Sequence, residues 1–124
     1  MTKRPRVLVA EDHADMAKAI CRLLALECEI VGRVEDGSAV VEAAQRLRPD
    51  VIVIDLNLPS VNGLEACRQI THTNPEMKVI VFTAMNDPDV RARAFELGAS
   101  AFVSKLAGDG ELLSTVKRLS ADEG

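Results

Sequence analysis

Short apolar runs alternate with stretches of helical period along the whole chain. VLVA (7–10), EIVGRV (29–34), VIVI (51–54), VIVF (79–82) and AFV (101–103) read as strands, mostly without polar alternation. Near-continuous apolar strands suit a parallel sheet covered on both faces. Between them the period changes. Ala17, Ile20 and Leu24 fall at i, i+3, i+7, as do Leu64, Cys67 and Thr71, with Ile70 beside them. Val40, Ala44, Leu47, then Val90, Ala94, Leu97, then Leu112, Val116, Leu119 repeat i, i+4, i+7. Each set makes one apolar helical face. Pro49-Asp50, Asn74-Pro75 and Gly98 close the second, third and fourth helices, and Asp87 before Pro88 is a good start for the fourth. The pattern predicts an α/β chain of five βα units, hence a doubly wound parallel sheet with right-handed crossovers.

The length of 124 residues makes this one domain, 1–124, with no internal linker or repeat; residues from about 120 to 124 read as a linker stub. A net charge of -4, with three Phe and no Trp or Tyr, argues against this chain gripping or stacking on nucleic acid. The opening MTKRPRVLVAED is too short in apolar residues for a signal-peptide core, and nothing later resembles a membrane span. Cys21, Cys28 and Cys67 lack C-x-x-C spacing and read as buried free thiols in a reducing cytoplasm.

The residues that follow the strands are where chemistry gathers. In a parallel sheet of this kind ligands bind beyond the carboxyl ends of the strands. The first strand runs into Glu11-Asp12, the third into Asp55, the fourth into Thr83-Ala84, and the fifth leads to Lys105. Three carboxylates crowded together repel one another, and a divalent cation relieves that. An all-oxygen donor set favours Mg²⁺ or another hard ion. His13, at the start of a helix, reads as exposed, and His72 as a residue in the last turn of the third helix.

Five elements together resemble the receiver domain of bacterial two-component response regulators: ED (11–12), DLNLPSVNG (55–63), TA (83–84), GASAF (98–102) and SK (104–105). The resemblance implies a flavodoxin-like (βα)5 fold with strand order 2-1-3-4-5. It implies that Asp55 takes a phosphoryl group from a sensor histidine kinase. Glu11, Asp12, Asp55 and the backbone carbonyl of Asn57 would hold Mg²⁺ or Mn²⁺. Thr83, Ala84 and Lys105 would contact the phosphoryl oxygens, with Thr83 and Phe102 as the switch pair. Such a chain is a regulatory phosphoacceptor that catalyses only its own phosphorylation and dephosphorylation. The run LGASAFVSKLAGDGELLSTVKRL resembles the NarL/FixJ-like subfamily, whose members carry a C-terminal helix-turn-helix domain. That implies DNA binding through a domain outside this chain and admits a homodimer on phosphorylation. A single-domain receiver acting through a protein partner stays open.

Two other readings fit less well. A phosphatase of the haloacid dehalogenase type needs an acid two residues after its nucleophile, where this chain has Asn57. A flavodoxin-like cofactor binder needs a phosphate loop after the first strand, where this chain has EDHADM. One departure from the resemblance stands out. Many receivers have proline after the lysine, joined by a cis bond; here Leu106 follows Lys105, which predicts a trans bond. A helix cap at Asp109 and a mobile Leu106–Gly110 loop are expected with it.

Overall fold

The computed structural model describes residues 4–107 and 109–121, without the side chain of Asp109. Five strands and five helices alternate: β1 (Arg6–Ala10), α1 (Ala14–Ala25), β2 (Glu29–Val34), α2 (Gly37–Leu47), β3 (Val51–Ile54), α3 (Gly63–Thr73), β4 (Lys78–Thr83), α4 (Pro88–Glu96), β5 (Ala101–Ser104) and α5 (Asp109–Ala121). The strands form one parallel sheet in the order β2-β1-β3-β4-β5, as expected. The order reverses next to β1, so β1 and β3 flank the switch point where such sheets bind ligands.

Alternation along the strands divides the core in two. Leu8, Ala10, Ile52, Ile54, Val79 and Val81 pack with α2, α3 and α4 residues on one face. Val7, Val9, Val51, Val53, Ile80 and Phe82 pack with α1 and α5 on the other. Because side chains on a strand point alternately to the two faces, β3 is apolar at every position and β1 at every position after Arg6. The predicted faces of α1 and α5 are buried as read. On α2, Val40 and Ala44 are buried while Leu47 is half-buried; on α4 only Ala94 is buried, with Val90 and Leu97 half-buried.

The third helix corrects the sequence reading. Its buried face is Gly63, Ala66, Cys67 and Ile70, with Leu64 and Thr71 only half-buried. The helix is rotated because its smallest residues lie against the sheet. Thr71 sits at the seam with α4, where its hydroxyl is 2.9 Å from both the Cys67 and the Leu97 carbonyl. Gly98 lies beside it with φ of +109°, and any Cβ there would stand 2.3 Å from the Thr71 hydroxyl. Only glycine accepts both conditions.

Helix starts follow the capping rules. Asp87 caps α4 by accepting from the Asp89 N–H, with Pro88 in the first turn. Asp36 and Asn62 cap α2 and α3 in the same way, accepting from Ala39 and Glu65 N–H groups. No cis peptide bond occurs among the described residues, so Lys105-Leu106 is trans. The expected cap by the Asp109 side chain, and Gly108 within the expected mobile loop, lie outside the described residues, as do 122–124 of the expected linker stub, whose residues 120 and 121 belong to α5.

Cys28 and Cys67 are buried and Cys21 is half-buried, a partial correction to three buried thiols. All three are unbridged. Burial pushes the Cys67 thiol up to about 11, and raises Cys21 and Cys28 as well. A charged thiol reagent at neutral pH should therefore label Cys21 first, with Cys28 and Cys67 reacting only on unfolding. Equal rates at all three would contradict this packing.

Candidate functional site at the strand ends

The sheet ladder continues one residue beyond several strands, and this fixes the site. The Glu11 N–H donates to the Val34 carbonyl at 3.0 Å, the Asp55 N–H to Ala10 at 3.0 Å, and the Lys105 N–H to Thr83 at 2.8 Å. Each functional residue is thus held by its neighbouring strand rather than left in a free loop. Ala10 pairs with Ile54 in the β1–β3 register, which sets Glu11 and Asp55 next to each other. Residues 11, 55 and 105 continue the alternation of the Val9, Val53 and Val103 face. Their side chains therefore meet on one side of the sheet edge.

Glu11 is 1% exposed and Asp55 6% exposed, an unusual depth for two carboxylates. The Lys105 ammonium lies between them, 2.6 Å from Glu11 Oε1 and 3.6 Å from Asp55 Oδ1. Its Nζ also stands 5.9 Å from the centre of the Phe82 ring. Burial raises the Asp55 carboxyl above its ordinary value, more than Lys105 lowers it; Glu11 raises it further, and the Leu56 and Asn57 amides lower it. Asp12 is exposed, at the mouth of the site. One ammonium contacts Glu11 and Asp55, and with Asp12 next to Glu11 the three carboxylates leave a formal excess of negative charge. A hard divalent cation fits that arrangement.

The β3–α3 loop is braced around Asp55. Leu56 and Leu58 are buried beneath it. The Gly63 N–H donates to the Leu56 carbonyl at 2.9 Å, and the Gly37 N–H to Pro59 at 3.2 Å. A Cβ on Gly63 would sit 2.3 Å from the Asp55 carbonyl oxygen, so glycine is required for the loop to pass this close. Asn57 is exposed on the same loop.

Thr83 is fully buried, and its hydroxyl oxygen accepts from the Met85 N–H at 3.2 Å. Ala84, beside it, is exposed. Val81 pairs with Phe102 and Thr83 with Ser104, so Thr83 and Phe102 share one sheet face, a residue pair apart. Phe102 is half-buried. The Arg91 guanidinium lies 5.9 Å from its ring centre and 5.5 Å from that of Phe95. Sequence reasoning missed Arg91. Its i, i+4 spacing to Phe95 was a visible signal, but the approach to Phe102 depends on how α4 rotates over β5. A cleft of about 420 Å³ between α2 and α3, lined by Arg48, Pro49 and Met77 among others, lies at the opposite edge of the sheet.

The family profile described as the response regulator receiver domain matches residues 7–117. The chain belongs to that family. As a receiver domain of a two-component system it is 32% identical over 120 residues to the response regulator GacA of Pseudomonas aeruginosa. That match covers 95% of this chain and 56% of GacA, so the chain spans about half the length of that relative. It is 35% identical over 115 residues to protein CcdB of Bacillus subtilis, covering 92% of this chain and 96% of CcdB. Among solved structures, a LuxR-family two-component response regulator from Aurantimonas sp. superposes with a TM-score of 0.92 at 26% identity, over 97% of this chain and 87% of that one. The LuxR-family description of that neighbour agrees with the subfamily resemblance of the residues around Lys105. No helix among its described residues is long and apolar enough to cross a membrane.

Proposed function

We propose that Asp55 is the phosphoacceptor of this receiver, charged by a sensor histidine kinase in the cytoplasm. The observation that carries the reading is the buried Asp55 carboxylate, with the Lys105 ammonium 3.6 Å away and Glu11 at its side. A carboxylate oxygen of Asp55 forms the new P–O bond as the P–N bond to the donor imidazole breaks. The electron pair of that bond returns to the imidazole nitrogen. Lys105, now held mainly by Glu11, has a long flexible stem and reaches the incoming phosphoryl oxygens. The Thr83 hydroxyl and the Ala84 N–H donate to the same oxygens.

Asp12, Asp55 and the Asn57 carbonyl would hold Mg²⁺ or Mn²⁺ directly, with Glu11 acting through water. When bound, the cation supplies positive charge against the phosphoryl oxygens. The domain, 1–124, catalyses only its own phosphorylation and loss of phosphate. Its output runs through a DNA-binding domain elsewhere, or through a protein partner or homodimer. The match to GacA over half that protein's length supports the first of these, and the match to CcdB over nearly its full length supports the second.

The switch rests on Thr83 and Phe102 sharing a face. A phosphoryl group draws the Thr83 hydroxyl toward it and away from Met85, opening space for the Phe102 ring. Only a difference in affinity between two states can drive such a shift. Adding beryllofluoride, a phosphoryl mimic, with Mg²⁺ should move amide NMR resonances from Val90 to Phe102; unchanged resonances would rule the switch out.

Acetyl phosphate with Mg²⁺ should add one hydroxylamine-labile phosphoryl group per chain, and none in the presence of a chelator. Labelling that ignores the chelator would contradict the proposed chemistry. The exposed Asp12 should matter more to the cation than Glu11, which Lys105 already engages. Asp12→Ala should weaken Mg²⁺ binding in a calorimetric titration more than Glu11→Ala does, whereas the reverse order would overturn this ligand assignment.

A further inference from the structure

The imidazole of His13 stands beside the acidic pair with no other engagement. Its Nδ1 is 3.7 Å from Glu11 Oε2 and 3.7 Å from Asp12 Oδ1, too far for a hydrogen bond to either. His13 is the residue before α1, yet its side chain makes no cap bond there. Its backbone N–H donates to Glu11 Oε2 at 3.2 Å, which folds the chain so that the ring lies near the carboxylates. One donor atom each from Glu11, Asp12 and His13 lies within 4.8 Å of the other two. Two donors on one first-row metal ion, each at roughly 2.0–2.2 Å, stand at most about 4.4 Å apart. His13 Nδ1, 3.7 Å from each carboxylate, already lies within that span, and its ring is 82% exposed, so it can adjust without disturbing the core.

We propose that His13 is a nitrogen donor to the cation held at the strand ends, and that it turns the site from magnesium toward first-row transition ions. The inference rests on the strand ends being a cation site at all. Magnesium gains little from imidazole, because it prefers oxygen and keeps its waters. Affinity for a nitrogen donor rises along the Irving–Williams order from manganese, which still favours oxygen, through cobalt to nickel, which binds imidazole well. Removing the ring should therefore act selectively on those ions.

The test is a set of calorimetric titrations with Ni²⁺, Mn²⁺ and Mg²⁺ on the whole chain and on His13→Ala, His13→Asn and Asp12→Ala. His13→Asn keeps a residue that caps a helix well, which separates metal binding from any effect on α1. Both His13 variants should lose about ten-fold or more in Ni²⁺ affinity, with a smaller loss for Mn²⁺ and less than about two-fold for Mg²⁺. Pulsed EPR of the Mn²⁺-loaded protein should show imidazole nitrogen coupling that disappears in His13→Asn. Equal losses for Ni²⁺ and Mg²⁺, or no nitrogen coupling, would overturn the role of His13. If Asp12→Ala abolishes Mg²⁺ binding in that case, the receiver reading stands. If Asp12→Ala leaves Mg²⁺ binding intact, the strand-end cation site fails and the inference fails with it.

Discussion

Replacing Lys105 with methionine should lower the stability of the metal-free protein by about 3–5 kcal/mol at neutral pH. Methionine keeps most of the apolar stem beside the Phe82 ring, so little packing is lost. What changes is the partner of Glu11. With 1% of its surface exposed, Glu11 keeps its hydrogen bond from the His13 N–H but loses the ammonium 2.6 Å away. A buried charge stripped of its partner is far more costly than the intact pair is favourable. The loss should be largely reversed in Glu11→Gln/Lys105→Met, since the second change removes the orphaned charge. Urea unfolding of the two single variants and the double variant measures this as a coupling energy. A loss below about 1 kcal/mol, the value of an exposed pair, would mean that water reaches Glu11 freely.

Asp55→Asn should do the opposite to stability while abolishing phosphorylation. Burial raises the Asp55 carboxyl above its ordinary value of 3.8. The folded chain therefore holds the proton more tightly than the unfolded one. Stability contributed by the protonated group is lost as pH rises from 3.8 through the raised folded value. At neutral pH the charged Asp55 is a net burden on the metal-free fold, and asparagine removes it. Lys105 keeps its shorter contact with Glu11 in that variant. The melting temperature of Asp55→Asn should exceed that of the parent at neutral pH in a chelator, and the difference should shrink toward acid pH. A variant that melts lower than the parent at neutral pH would show that Lys105 outweighs burial at Asp55.

Much of this was legible in the sequence because parallel strands are apolar on both faces. VIVI and its counterparts mark the strands, and the residue after each one marks the site. Even the meeting of residues 11, 55 and 105 on one face follows from parity along the strands. The third helix was less legible. Hydropathy favours Leu64 over Ala66, yet close packing against the sheet selects the small residues Gly63 and Ala66. The pairing of Lys105 with Glu11 before Asp55, and the placing of Arg91 over Phe102, depend on side-chain reach across strands and helices. No local pattern encodes those distances.

The most direct measurement locates the phosphoryl group. After incubation with acetyl phosphate and Mg²⁺, borohydride converts an aspartyl phosphate to homoserine, and peptide mass spectrometry places that residue. Homoserine is expected at position 55 alone. Homoserine at position 12, or a phosphoryl group retained on His13, would contradict that placement.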